Sequence, residues 1–268
     1  MSDFYLLGNS SASQMFGCVI KTKTKTIVFD GGTTHDDEQL LTFLKENANC
    51  HVDAWFFTHP HHDHIGCFVH LRKKAPAVTV EKIYHCFPSI ELLTKHGMRA
   101  DWELKLWEDI SEWDSSYDVQ QLSAGDCFMF DDVAIRILRV FNPNILNNFV
   151  NNSSAVYRIE NTNSSFLILG DLGVEGGNEV IENVPAALLQ TDYTQMAHHG
   201  QNGVYKKFYE YIQPKKCIWP TPEWLWNNDG GNGFDTGPFQ TLQTRKWVAD
   251  LGVTEHFIAK DGTQKISF

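Results

Sequence analysis

At 268 residues, with 42% hydrophobic and 13% aromatic content, the chain can fill a sizeable core and reads as globular. Its 22 Lys and Arg against 33 Asp and Glu give a formal net charge of −11, which argues against a broad electrostatic grip on nucleic acid but leaves room for a local phosphate site. Six cysteines with no CxxC pair suggest neither a zinc ribbon nor a dense disulfide framework and fit a reducing cytoplasm. The opening MSDFYLLGNSSASQMFGCVI lacks the basic-then-apolar order of a signal peptide, and no segment approaches the roughly 18 apolar residues of a membrane span. A soluble, cytoplasmic protein without a membrane partner is expected.

In chain order, KTIVFDGG (25–32) reads as a buried strand ending in a glycine turn, and DDEQLLTFLKENA (36–48) as an amphipathic helix. HVDAWFFT (51–58) is expected to be one strand. A helix over 64–74, opened by Asp63, follows it, and then a strand over 78–86. Residues 89–113 are mainly helical in pattern, whereas DVAIRILRV, SSAVYRIE and SSFLILGD have the alternation or apolar density of successive strands. ALLQTDYTQMAHHG (187–200) again looks like a strand ending in histidines, before a helix at 203–212 and the strand KKCIWP (215–220). With no linker or low-complexity tract, one domain over residues 1–268 is the simplest organisation.

Sites in mixed α/β folds gather where strands end. Four such ends carry polar residues here: Asp30, the cluster His59 to His64, Asp171, and His198 with His199. In THPHHDH, His59 and His61 lie two apart, so in an extended segment both rings face one side, as two ligands of one metal must. Asp63 and His64 sit at the turn and can aim at a second ion, while His62 is expected to face away. Imidazole and carboxylate both suit zinc, and Mn or Fe could take the same ligands.

The string THPHHDH resembles the HxHxDH signature of the metallo-β-lactamase superfamily, and FDGG before it, LILGD after it and AHHG later occur in that family's order. The resemblance implies a four-layer αββα sandwich of two similar halves with a one- or two-metal hydrolytic site. It also implies that His59 and His61 hold the first metal, that Asp63, His64 and His199 hold the second, and that Asp171 bridges them. By the same resemblance His199, which directly precedes Gly200, is the ligand. His198 would then face the substrate, joining Asp63 at the reacting centre. Asp30 would brace the ligand loop. The series NNSSAVYRIE, SSFLILGD and MAHHG looks most like the branch of phosphorylcholine esterases and competence-protein domains, so a phosphodiester is the expected substrate. Lactone, thioester or amide hydrolysis is the alternative, as is a relative that binds metal or ligand without turnover.

One departure stands out. Many relatives supply a third histidine to the first metal ahead of LILGD, but residues 133–169 contain none. Asn151 or Asn152 could approach that metal or the substrate, or simply form a turn. Trp224 and Trp226, in the turn-rich PTPEWLWNNDGGNGF, are candidates either for a substrate wall or for packing against the domain's own flank.

Overall fold

The computed structural model describes residues 1–74, 78–97 and 101–268. Its first half lays down β1 (Asp3–Leu6), β2 (Gly17–Lys21), β3 (Thr26–Asp30), α1 (Asp37–Ala48), β4 (His51–Val52), β5 (Ala54–Phe56) and α2 (His62–Lys74). There follow β6 (Thr79–Val80), β7 (Lys82–His85), α3 (Ile90–His96), α4 (Asp101–Ile110), α5 (Trp113–Ser116) and β8 (Asp118–Gln121). The second half comprises β9 (Cys127–Phe130), β10 (Val133–Arg139), β11 (Val156–Glu160), β12 (Ser165–Ile168), α6 (Val174–Asn183), α7 (Ala186–Leu189) and β13 (Tyr193–Gln195). After them come α8 (Lys206–Ile212), β14 (Lys216–Trp219), α9 (Glu223–Trp226), α10 (Thr241–Asp250), β15 (Glu255–Ile258) and β16 (Gln264–Ser267).

The strands form two seven-stranded sheets, β16-β1-β2-β3-β5-β7-β8 and β15-β14-β13-β12-β11-β10-β9, with β4 and β6 paired separately. Each half starts as an antiparallel meander and continues as parallel strands, β3-β5-β7-β8 in one and β12-β13-β14-β15 in the other. The period of two in the strands builds the layers. Phe29, Phe56, Ile135, Tyr157, Phe166 and Ile168 fill the space between the sheets. Val28 and Trp55 turn the other way onto α1 and α2, and Leu167 and Leu169 onto α6, α8 and α10. The result is the αββα sandwich.

Several boundaries differ from the sequence-based expectation, the first two through tertiary hydrogen bonding. The single strand over 51–58 is two, because Asp53 turns its carboxylate back to the Thr26 amide at 2.8 Å and to Lys25 at 2.7 Å. The next one divides likewise at Glu81, whose N–H bonds to Val52. The start of 187–200 is helical, α7 following Pro185, and only Tyr193–Gln195 is strand. Helix α2 begins at His62, so Asp63 lies inside its first turn rather than capping it. The helical stretch 89–113 is three helices, and its residues 98–100 lie outside the described residues. Among the described residues all six cysteines are free thiols, and no helix is long and apolar enough to cross a membrane.

Candidate metal centre

The repeat of strand order in the two halves puts chemically matching residues at matching places. Asp30 ends β3 and Asp171 follows β12. The His59–His64 segment follows the next parallel strand, β5, and His198–His199 follow its counterpart, β13. The sheets face one another, so all four ends meet at one rim.

Two groups of possible ligand atoms result, each with its members within 4.8 Å of one another: Asp63, His64, Asp171 and His199, and His59, His61 and Asp171. Asp171 is common to both. Its Oδ1 lies 3.2 Å from His64 Nε2, and its Oδ2 lies 3.4 Å from His199 Nε2 and 3.8 Å from His59 Nε2. His199 Nε2 is 3.1 Å from Asp63 Oδ2, and His59 Nε2 is 3.0 Å from His61 Nδ1. A third group, His51, Asp53 and Glu81, already has Lys25 on Asp53.

The outward nitrogens are pinned. His64 Nδ1 lies 2.7 Å from Asp30, and His199 Nδ1 lies 2.8 Å from the Pro220 carbonyl. Each acceptor takes the Nδ1 proton in a hydrogen bond and so leaves Nε2 as the nitrogen turned inward, the one that a cation would deprotonate and bind. Asp30 itself also accepts from the Thr58 amide at 2.7 Å and the Thr58 hydroxyl at 2.6 Å. The Asp171 amide donates to Ser154 Oγ, and Gln195 holds the preceding turn through the Leu169 amide and the Gly170 carbonyl.

The backbone is strained here. His198 and His199 are both left-handed, at φ 53° and 55°, a conformation costing about 1–2 kcal/mol per non-glycine residue. Gly200 follows at φ 81°, where a Cβ would come within 2.5 Å of the Trp219 ring.

Electrostatics divide the two groups. Burial, reinforced by His64, holds His59 well below the ordinary imidazole range, and burial takes His61 down to about 4 despite Asp63 and Asp171 nearby. Burial also opposes charge on His64 and His199, but Asp171 with Asp30 raises the former and Asp171 with Asp63 lifts the latter to about 9. Asp63 and Asp171 resist the upward push of burial and stay low, chiefly through His199 and His64.

These residues fit a divalent cation. His64 Nε2, His199 Nε2 and both Asp171 oxygens are buried yet make no hydrogen bond, whereas buried polar atoms are ordinarily satisfied. Four converging, solvent-inaccessible N and O donors are the chemistry of a zinc, manganese or iron shell.

The other sequence candidates are distributed differently. His198 borders the cavity over the centre, its Nε2 3.7 Å from Asp171 and its Nδ1 3.3 Å from the Asn202 carbonyl. Asn152 does not face the centre: its Oδ1 accepts from Gly173 and Gly176, and its Nδ2 donates to Asn147 and Glu175. Its neighbour Asn151 lines the cavity instead. Trp224 and Trp226 are outside the cavity lining. Trp224 donates to the Ala12 carbonyl, and Trp226 packs on Trp219 under the Arg245 guanidinium. His62, expected to face away from the ligand sets, joins neither of them; it borders the cavity with Nε2 3.3 Å from Thr34 Oγ1. Gln14 and Gln201, beside Asp63, carried no local signal in the sequence.

The fold is that of metallo-β-lactamase-fold proteins, and the model of the Metallo-beta-lactamase superfamily matches residues 18–130. That span includes the His59–His64 cluster and stops short of Asp171 and His199. ComE operon protein 3 of Bacillus subtilis (strain 168) is 26% identical over 185 residues, 68% of this chain and 21% of the relative, so the chain spans about a fifth of that curated relative's length. Among solved structures, the metallo-beta-lactamase fold protein YhfI from Bacillus subtilis superposes with a TM-score of 0.59 at 12% identity, covering 99% of each chain. A diphosphatase from the PhnP family superposes with a TM-score of 0.55 at 14% identity, covering 100% of this chain and 98% of that one.

Proposed function

We propose that this chain is a metal-dependent hydrolase acting on a phosphodiester, with zinc the first candidate metal. The observation that carries the metal dependence is the set of hydrogen-bond-orphaned atoms on His64, Asp171 and His199. His59, His61 and Asp171 would hold one cation, and Asp63, His64, His199 and the other share of Asp171 a second. When bound, such cations supply Lewis acidity and an activated water at neutral pH.

The chain's own residues do the rest. Asp30 and the Pro220 carbonyl hold the Nδ1 protons of His64 and His199, so that Nε2 is the nitrogen each would give to a cation. His198, with Nδ1 committed to Asn202, presents Nε2 to the cavity. A proton there would be donated to a phosphoryl oxygen as negative charge grows on it. The same cavity is bordered by the polar side chains of Ser13, His62 and Asn151, which suit phosphoryl oxygens better than a carbonyl flanked by apolar groups, with Asp63 and Glu103 also on its lining. The shared fold of a diphosphatase from the PhnP family supports phosphoryl-group chemistry.

Turnover of bis-(p-nitrophenyl) phosphate by chelator-stripped protein, before and after Zn or Mn is restored, tests the reading against a panel of lactones and thioesters. Metal-restored diester cleavage is expected. Turnover of a lactone or thioester without diester cleavage would replace the substrate class, and metal uptake with no turnover at all would leave a binding relative.

A further inference from the structure

We infer that Gln14 and Gln201 form a strap that positions Asp63 and His199 for the second cation, an inference that rests on the metal reading above. Asp63 Oδ2, the oxygen 3.1 Å from His199 Nε2, accepts a 2.8 Å hydrogen bond from Gln14 Nε2. Gln14 Oε1 in turn accepts a 2.7 Å bond from Gln201 Nε2. An ionised carboxylate can only accept, so the direction of the whole relay is fixed from that end: Gln14 must show its NH₂ to Asp63 and its oxygen to Gln201.

The strap has a reason to exist. The side chains of His64, Asp171 and His199 are 0–1% exposed and held by packing, but Asp63 is 16% exposed, at the cavity mouth. It is the ligand with the most freedom to turn away. Gln201, only 7% exposed, follows the left-handed pair His198–His199, and its N–H bonds to the His198 carbonyl at 2.9 Å. Gln14 belongs to the loop after β1, which Trp224 fastens through Ala12. The relay therefore joins a ligand on α2 to the ligand turn after β13, bridging 187 residues between the two glutamines. Neutral amides do this without adding charge to a site whose own charges must balance the cation.

The test uses the full chain stripped with chelator, reloaded with Zn(II) and dialysed against graded chelator, with zinc per chain read by elemental analysis. Gln14→Leu and Gln201→Leu should each weaken retention of one zinc about 10- to 100-fold, as loss of a group that orients a ligand does. The double variant should be no weaker than either single one, because both cut one relay. Gln201→Glu gives a sharper sign. Added negative charge alone would tighten a cation, but an acceptor at that position turns the Gln14 amide and puts its oxygen against Asp63, so retention should weaken. Melting of the metal-free variants, expected unchanged, separates this from unfolding, and the isosteric Gln201→Glu serves where a leucine variant does not fold. Unaltered retention in both leucine variants, additive losses in the double variant, or tighter zinc in Gln201→Glu overturns the strap alone. A wild-type chain that takes up no zinc overturns the metal reading and the strap with it.

Discussion

Asp30 and Asp171 occupy corresponding places in the two halves, each where the first parallel strand of its sheet ends, and both are buried, at 0% and 1% exposure. They differ in what surrounds their oxygens. Asp30 accepts from the Thr58 amide, the Thr58 hydroxyl and His64 Nδ1. Asp171 accepts no hydrogen bond at either oxygen. His64 lies between them, Nδ1 toward one and Nε2 toward the other. A buried carboxylate with both oxygens hydrogen-bonded is a brace, and one with neither hydrogen-bonded is a place for a cation, which would add to the charge that His199 and His64 already set against its desolvation. The same position in a repeated topology thus serves as frame in one half and as the shared corner of the proposed centre in the other.

The largest effects should fall on these two residues, in opposite assays. Asp30→Ala strands the Thr58 amide and His64 Nδ1 in the interior and should destabilise the metal-free protein by about 3–5 kcal/mol, read by denaturant unfolding. Asp171→Ala should cost less folding stability but abolish retention of both cations, since Asp171 belongs to both ligand groups. If Asp171→Ala keeps its metal and Asp30→Ala keeps its stability, the distinction between brace and corner is wrong.

The two ligand groups should separate next. The group with His59 and His61 has three members and no third histidine, whereas the other has four, with His64 and His199 pinned from behind. Graded chelation should remove one cation well before the other. His199→Ala should lower metal content, whereas His198→Ala should keep it and reduce turnover by about 10²-fold. Equal metal loss from both variants would erase the difference between the neighbours.

Sequence pattern and spacing carry much of this arrangement and miss particular parts of it. The strands at 25–32 and 164–171 are legible because burial on both faces demands continuous apolar runs, and THPHHDH is legible because its ligands lie close together in the chain. What escapes is whatever distant contacts decide. The Gln201–Gln14–Asp63 relay joins segments with no common pattern. Helix α6 is disguised by Gly176 and Gly177, poor helix formers, yet a Cβ there would meet Leu172 at 2.5 Å or Val204 at 2.7 Å. His62 is legible as a non-ligand, since it lies between the two projecting pairs, and it bonds Thr34 instead.

A smaller effect isolates burial from ligand chemistry. His85, away from the centre and 5% exposed, is pushed by burial down to about 4, with Nδ1 accepting the Phe87 amide. His61 sits at about the same value inside the centre. Between the ordinary imidazole value near 6.5 and about 4, the unfolded chain binds the proton that folded His85 refuses. Stability is therefore complete above about pH 6.5 and is lost as the pH falls toward 4, by up to about 3 kcal/mol from this residue. His85→Asn keeps an acceptor without the titration, so its unfolding free energy should lose that much less over the same window. Parallel pH curves for the two proteins would show that burial does not govern His85.

The smallest expected effect concerns Asn152, and it bears directly on the group with His59 and His61. Its carboxamide oxygen takes the Gly173 and Gly176 amides at the start of α6, and its nitrogen reaches Asn147 and Glu175. Two of these contacts satisfy amide groups that the first turn of a helix cannot satisfy itself. Asn152→Ala should therefore lower stability by about 1–3 kcal/mol through stranded amides, with zinc retention unchanged in the protein that remains folded. Asn151→Ala, on the other side of the same 3₁₀ turn and bordering the cavity, should leave folding nearly intact and act on substrate affinity. If Asn152→Ala instead loosens the more weakly held cation at unchanged stability, that turn reaches the His59–His61 group after all. The group would then have a support that the hydrogen bonds to α6 do not reveal.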